Sequence, residues 1–557
     1  MSYHRRKPMF TKNTQHLEGD LFSPENRLPQ TIKKNLDRHW SSVFYRKIFS
    51  TIDEEVFAVI YDAENGRPNY PVNILVGLEI IKGLFGYIDE ALYEGFIFNY
   101  AIQRALGIND IEKAYFCIKT LYNFRSRLAK YDSENNVSLM NEVFKDGRDK
   151  IIEELGIKTG LQRVDSVMIA ANIKKMSRLA LFHKVLSNLV KCLIKLEIYV
   201  SENILGIVKE DEDSICYRLA SEKVAETIKL IGEKIFELTE LHKNNEDLAN
   251  SKEYLDAIRL LSDQCRIEGR KDYELVRLKA PHEISSGSMQ NPADTDATFR
   301  KKNDEMHQGY KCHAVETCDT ENKMQVITMV ETIKNNEDDG ISLAPKLDGL
   351  QAETALETLI TDGGYHSTEL IEEAEELEVE LVTTAIRGRQ SGQKTITTEA
   401  FSFNDKGLIE KCPAGKNPVK QILKDGILTA SFDKRECFVC TLRDICLAYI
   451  SEKQCRLVID SNRRWLDKRS TSEASERQKT LCRMRPAVEG LMEKMKPRYL
   501  KGRTMFRFLP RVRNRMVLRA IGLNFRRYLA YLLVSLSYFM NLVRNQFRFC
   551  QFLAKIA

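Results

Sequence analysis

The sequence predicts an α/β protein built on a mixed sheet, with a helical domain ahead of it, a helical bundle inserted into it and a cysteine-bearing insertion further on. Three observations lead there. Short runs of strand character recur at 160–170, 309–315, 324–330, 359–361 and 379–383. Long stretches with helical apolar spacing lie before and between them. The resulting order, strand, hairpin, helix, strand, helix, strand, is what a sheet with antiparallel and parallel parts produces. Size and composition agree, because 557 residues at 43% hydrophobic and 29% charged exclude a disordered tail, a collagen-like repeat and a small disulfide scaffold.

Residues 1–35 lack sustained periodicity and are expected to form an arm. No apolar run follows Met1-Ser2-Tyr3-His4-Arg5-Arg6, so a signal peptide is not expected. From 36 to 130 the spacing of Ile74, Leu75, Leu78, Ile81 and Leu84 is helical, with Gly66-Arg67-Pro68-Asn69-Tyr70-Pro71 as punctuation. That domain is either a helix-turn-helix type DNA binder or a plain bundle. The run at 160–170 is apolar on both faces and interrupted by Asp165, which suits a central strand. A carboxylate there must be paired, hydrogen-bonded or bound to a metal, since burying it alone is costly. Residues 174–276 carry Leu179, Phe182, Leu186, Leu189, Val190 and Leu193 at helical spacing without strand signal, so an inserted bundle is expected within 174–285.

The runs at 309–315 and 324–330 flank a polar Asp319-Thr320-Glu321-Asn322 turn and predict a hairpin. A helix at 338–350 then leads to Leu359-Ile360-Thr361, a short strand ending at Asp362 before Gly363-Gly364-Tyr365. A helix at 367–377 and a strand at 379–383 follow. Segments 155–173, 290–384 and 470–545 are expected to assemble one catalytic domain, with 400–460 as the cysteine-containing insertion.

Net charge is only +6, but it is unevenly placed. Residues 494–557 hold 15 Lys and Arg and no acid, which leaves the first 493 residues at a net −9. Clustered bases attract phosphates, so nucleic acid is the leading partner, ahead of a membrane surface or a solvated face. The most apolar stretch, 528–543, is shorter than the roughly 20 residues a bilayer span needs and is bracketed by Arg526, Arg527 and Arg544. A buried helix is expected there, and no membrane partner. Thirteen cysteines, an odd number in a large chain, fit free thiols in a reducing cytoplasm.

Asp165 and Asp362 each sit on or at the end of a strand of one sheet, so they can converge. Oxygen ligands suit hard cations such as Mg²⁺ or Mn²⁺, and two ions roughly 3.5 to 4 Å apart serve phosphoryl transfer. The plain alternative for Asp362 is a turn residue before glycine. A third acid comes from Arg485-Pro486-Ala487-Val488-Glu489-Gly490-Leu491-Met492-Glu493-Lys494-Met495-Lys496. At about 100° per residue, Arg485, Glu489 and Lys496 fall within about 40° of one another on a helix face. Pro486 disfavours helical geometry at Arg485, and Glu493 competes with Glu489.

Together these residues resemble the DDE transposases of bacterial insertion sequences, in the branch whose last acid lies in a Y-x2-R-x3-E-x6-K helix. The resemblance takes in the helical domain with Gly66-Arg67-Pro68 and Asn123-Phe124-Arg125-Ser126-Arg127-Leu128. It continues through Val164-Asp165-Ser166, Ala171-Asn172-Ile173, Asp294-Thr295-Asp296-Ala297-Thr298-Phe299-Arg300 and Thr361-Asp362-Gly363-Gly364-Tyr365. It implies a ribonuclease-H-like catalytic fold with Asp165, Asp362 and Glu489 as catalytic metal ligands. One departure is plain: Cys482 stands where the motif has Tyr, which puts handling of the DNA end in doubt rather than metal binding.

Cys412, Cys437, Cys440 and Cys446 lie between the last strand and the Glu489 helix. The Cys437-Phe438-Val439-Cys440 spacing is that of a zinc knuckle, and Cys412 and Cys446 could close a tetrahedral structural Zn²⁺ site; buried thiols are the alternative. In the basic end, from Tyr499-Leu500-Lys501-Gly502-Arg503 onward, Arg503, Arg507, Arg511, Arg513, Arg515 and Arg519 are interleaved with Phe506, Phe508 and Leu509. Arginines there suit phosphate contact without base readout, with the apolar residues packing on the sheet. Arg485 and Lys496 are expected to hold DNA phosphates as well.

The expected function is a transposase that hydrolyses a phosphodiester at transposon ends and transfers the 3′-hydroxyl into target DNA, using two Mg²⁺ or Mn²⁺ ions. Double-stranded DNA, as terminal inverted repeats and target, is the expected partner. A homodimer in the synaptic complex and a nucleoid-associated cytoplasmic protein are expected with it. A nuclease that cuts without joining, or a transposase-derived DNA-binding regulator, are the alternatives.

Overall fold

The computed structural model describes residues 10–17, 24–62, 68–108, 114–209, 212–270, 273–302, 305–384, 396–404, 406–424, 426–451, 455–460, 463, 467, 476–497 and 502–556. Met1 to Arg6, Gly66, Arg67, Tyr499, Leu500 and Lys501, singled out above, lie outside the described residues.

The core sheet has six strands: β1 (Leu161–Ala170), β2 (Thr298–Lys302), β3 (Glu305–Thr317), β4 (Ile327–Lys334), β5 (Thr358–Thr361) and β6 (Glu380–Thr383). β1 pairs antiparallel with β3 and parallel with β5; β5 pairs parallel with β6, and β4 and β2 both pair antiparallel with β3. The order across the main sheet is therefore β4-β3-β1-β5-β6, with β1 central. Both faces of β1 are covered, which is why its apolar residues do not alternate with polar ones. Val164 packs with Leu343 and Leu347 of α7 (Asp339–Thr354) and Leu370 of α8 (Thr368–Glu376). Val167 and Ile169 belong to the core on the other face.

That second core does not stop at the catalytic segments. It joins the sheet to α1 (Val72–Phe85) and α2 (Ile118–Asn135) of the helical domain, to α3 (Leu139–Leu155) that follows it and to the long C-terminal helix α11 (Leu509–Ile556). Helix α11 crosses α1 at glycines on both partners. A Cβ on Gly83 would stand 2.9 Å from the Leu518 carbonyl oxygen, and one on Gly522 would stand 3.1 Å from the Leu84 Cα. Close backbone approach at both points needs residues without side chains. The helical and catalytic segments, read from the sequence as successive domains, thus share one hydrophobic interior.

The insertion is built from α4 (Arg178–Lys195), α5 (Val224–Leu241) and α6 (Lys252–Gln264), with its own core of Phe182, Leu186, Ile231, Ile235 and Leu260. It also contains strands, against expectation: Cys265–Arg270 pairs antiparallel with Tyr273–Leu278. Val276 and Leu278 alternate with Arg277 at a period of two, a signal hidden among charges. Strand β2, unforeseen as well, follows the Asp294-Thr295-Asp296-Ala297 segment.

The apolar stretch at 528–543 lies in α11. Tyr528 is buried and Leu529, Tyr531 and Leu532 pack on the core, whereas Leu533 and Val534 are 61% and 69% exposed. The stretch is one face of an amphipathic helix there rather than a helix buried all round, and its side chains from 535 on lie outside the described residues. Among the described residues no helix is long and apolar enough to cross a membrane.

Candidate active site

The parallel pairing of β1 with β5 brings the two aspartates together. Leu161 faces Thr358, Gln162 faces Leu359 and Arg163 faces Ile360. The same offset, carried two residues on, sets Asp165 beside Asp362, just past the end of β5. Each carboxylate is oriented by its own backbone: Asp165 Oδ1 accepts the Ser166 N–H at 2.8 Å, and Asp362 Oδ1 accepts the Gly364 N–H at 2.9 Å. The Oδ2 atoms share one partner. Nη2 of Arg485 donates to Asp165 Oδ2 at 2.8 Å and to Asp362 Oδ2 at 3.3 Å, while Nη1 lies 3.7 Å from Glu489 Oε1.

Arg485 and Glu489 are not on one continuous helix. Helix α9 (Glu476–Met484) is followed by a 3₁₀ turn, Arg485–Val488, and then α10 (Glu489–Met495). Pro486 explains the tighter turn, since it cannot continue an interior α-helical hydrogen-bond ladder. Lys496 lies just beyond α10 and donates to Glu493 Oε2 at 2.7 Å. The expected single face is therefore broken, yet the four-residue step from Arg485 to Glu489 survives. The turn is anchored from below, where Arg163 Nη1 donates to the Met484 carbonyl at 2.6 Å and Arg163 pairs with the buried Glu316, its neighbour across β1 and β3.

A cavity of about 500 Å³ opens beside the acids, lined by Asp165, Arg300, Lys311, Asp339, Glu489 and Lys496 among others. Arg300, Lys311 and Asp339 were not singled out in the sequence as charged partners of the site. Lys311 is buried and reaches Asp339 Oδ1 at 2.8 Å and the Glu337 carbonyl at 2.7 Å. Behind them, the Tyr365 hydroxyl and His313 Nδ1 are 2.7 Å apart, and His313 Nε2 is 3.1 Å from Ser342 Oγ. Burial lowers the His313 pKa to about 4, so the ring is neutral at pH 7. Burial raises the Asp165 carboxyl, an effect that the Arg485 charge opposes. Tyr365 stood in the Thr361-to-Tyr365 segment and Arg300 in the Asp294-to-Arg300 segment; the two-residue spacing of Lys311 and His313 on one strand was a sign of the rest.

Among the described residues, no three His, Cys, Asp or Glu side chains are set to hold a metal ion. At the acids the reason is visible: a guanidinium lies between them. The donor set still fits a hard cation, because the two Oδ2 atoms already converge on a positive charge.

Arg503, Arg507 and Arg511 are exposed. Several arginines beyond them are tied to partners within the protein. Arg513 pairs with Glu331 at 3.2 Å, Arg519 donates to the Lys494 carbonyl at 2.6 Å and Arg527 pairs with Glu316 at 2.7 Å. The expectation that this whole run faces phosphate is corrected to that extent. Phe506 packs under Lys82 and Arg125 of the helical domain rather than on the sheet, 5.2 and 5.8 Å from them. Asp294 and Asp296 accept the Phe508 and Leu509 N–H groups at 3.1 and 2.9 Å, and so cap the start of α11. Cys482 packs against Ile360 and Val382 of β5 and β6.

In the cysteine insertion a four-stranded sheet, in the order Lys420–Lys424, Ile427–Ser431, Cys455–Ile459 and Tyr449–Ile450, packs over its own core. Cys412, Cys437, Cys440 and Cys446 all line one small cavity of about 30 Å³. Burial, together with the adjacent Cys455, pushes the Cys437 thiol up to about 12. Cys455 is thus a fifth thiol at this point, missed because it lies on a strand rather than at knuckle spacing.

Two family matches bear on this geometry. Residues 30–127 match the transposase domain DUF772, and residues 411–529 match the transposase DDE domain, a span that holds Glu489 and the cysteine insertion. No curated protein and no solved structure matches the chain. The protein is an enzyme of DNA strand cleavage and transfer. Both matches are to transposase domains, as an insertion-sequence DDE transposase would give.

Proposed function

We propose that this transposase cuts a phosphodiester at the ends of its mobile element and then uses the freed 3′-hydroxyl to attack target DNA. The observation that carries the reading is the convergence of Asp165 Oδ2 and Asp362 Oδ2 on one cationic nitrogen, with Glu489 facing the same guanidinium. Asp165 and Asp362 would hold Mg²⁺ or Mn²⁺ between them, and Glu489 would complete the second of two ions. Bound there, the ions activate the attacking oxygen and stabilise the departing one. One acidic set serves both steps because only the nucleophile changes, from water to the 3′-hydroxyl. The order β4-β3-β1-β5-β6, with β3 alone running against its neighbours, supports a ribonuclease-H-like catalytic domain.

Lys496 and Arg485 line the acids and would hold phosphate near them, while exposed Arg503, Arg507 and Arg511 position the duplex. The helical domain would recognise the terminal inverted repeats, and two copies would pair the two ends. Strand transfer from a precut end tests the reading. Asp165→Asn, Asp362→Asn and Glu489→Gln are each expected to lower joining by about a hundredfold or more. Full activity in any one of them removes that residue from the set, and cleavage without joining by the wild type removes the transfer step.

A structural Zn²⁺ at Cys412, Cys437, Cys440 and Cys446, which line one cavity but are not set at ligand spacing in this structure, belongs to the same proposal. Cys412 Sγ accepts the Lys416 N–H at 3.3 Å and Cys446 Sγ accepts the Ala448 N–H at 3.5 Å; the latter contact favours the Cys446 thiolate. Burial raises the Cys437 and Cys446 thiols, and a bound cation reverses that cost. Metal analysis of the purified chain should find stoichiometric zinc, lost in Cys437→Ser/Cys440→Ser; its absence from the wild type overturns the site.

A further inference from the structure

We infer that Arg485 is an internal counter-ion that keeps the catalytic metal out of the DNA-free enzyme and gives up its place when a DNA phosphate enters. The inference rests on the reading of Asp165, Asp362 and Glu489 as metal ligands.

The geometry is specific. Both aspartates already spend one acceptor site of Oδ1 on a backbone N–H, so Oδ2 is the freer atom for a cation, and one Arg485 nitrogen takes both. A divalent ion must bind those same two oxygens at much shorter range, about 2.0–2.1 Å for Mg²⁺. It cannot do so with a positively charged nitrogen between them, since the two cations would compete for the same lone pairs and repel each other. Arg485 therefore satisfies the acids in the absence of metal and blocks them in its presence.

The side chain is also built to leave. Its Nε is buried without a hydrogen-bond partner, so only the two terminal nitrogens hold the guanidinium in place. The backbone beneath it is fixed separately, through Arg163 and the Met484 carbonyl. The side chain can thus swing while the turn stays. The adjoining 500 Å³ cavity, with Lys496 on its wall, is where an entering phosphate would offer Arg485 a different anion. DNA and metal then bind with positive coupling: phosphate draws off the guanidinium, and the vacated oxygens accept the ion.

Mn²⁺ titration of the DNA-free protein, followed by electron paramagnetic resonance, tests this without any activity readout. Arg485→Gln is expected to bind Mn²⁺ about tenfold more tightly than the wild type, whereas Arg485→Lys, which keeps the charge, binds no more tightly. In the wild type alone, a short DNA duplex should strengthen Mn²⁺ binding by a similar factor, after correction for ions held by the duplex. This measurement needs no variant to fold. If Arg485→Gln and wild type bind Mn²⁺ equally, the duplex adds nothing and Asp362→Asn weakens binding in both, the counter-ion role is overturned while the metal site stands. If Asp362→Asn changes nothing in either background, the metal reading itself falls and the inference with it.

Discussion

The C-terminal basic segment divides into two groups of arginines that look alike in sequence and do opposite things in the fold. Arg503, Arg507 and Arg511 lie exposed ahead of or on the first turn of α11. Arg513, Arg519 and Arg527 follow on the same helix, but each is tied to a partner within the protein: the half-buried Glu331, the Lys494 carbonyl at the surface and the buried Glu316. The difference teaches that a charge excess along a chain is not a charge excess on a surface. Part of it neutralises acids that the sheet has already buried, and only the remainder is left to meet an outside anion.

Glu316 shows how strongly the interior group is committed. It is fully buried on β3, with Oε1 accepting from Arg163 Nε and Nη2 at 2.9 and 2.7 Å and Oε2 accepting from Arg527 at 2.7 Å. Replacing it leaves two guanidiniums in the interior without their anion. Glu316→Ala is therefore expected to destabilise the protein by about 3–5 kcal/mol, the range for breaking a buried ion pair from one side. Because Arg163 also holds the Met484 carbonyl, the same variant should loosen the turn carrying Arg485. Chemical denaturation of wild type and variant measures the effect; a loss under about 1 kcal/mol would put Arg527 and Arg163 in the exposed class, and the contrast drawn above would collapse.

The same division shows what was legible in the sequence. Asp165 stood out because a carboxylate interrupting a doubly buried strand needs a partner, and Asp362 because it ends a short apolar run before two glycines. Those signals are local, and the strand register that makes them neighbours follows from two parallel strands in one sheet. Arg485 was legible as a residue and not as a contact. Its placement among the acids depends on a turn folding over the middle of β1 and the end of β5, a long-range event that helical spacing does not encode. Lys311, His313 and Asp339 escaped for a related reason, since their pairing crosses from β3 to the start of α7. The hairpin at Cys265–Arg270 and Tyr273–Leu278 was missed because charges masked its two-residue period.

The exposed group offers the gentler test. Arg503→Ala/Arg507→Ala/Arg511→Ala removes three charges of which only Arg507 makes a described hydrogen bond, a long 3.4 Å donation to the Asn172 carbonyl. Stability should change by no more than about 0.5 kcal/mol per site, as for surface positions away from packing. DNA binding should respond differently: each lost phosphate contact removes about 0.9 from the slope of log affinity against log salt, so the triple variant should lower that slope by up to about 2.7. The loss should be uniform across DNA sequences, because phosphate contacts fix position and carry no base information. Titrations of duplex DNA at several salt concentrations measure both slope and sequence dependence. An unchanged slope would mean that these arginines, too, meet no phosphate, and the outward-facing anion site would have to be sought on the helical domain instead.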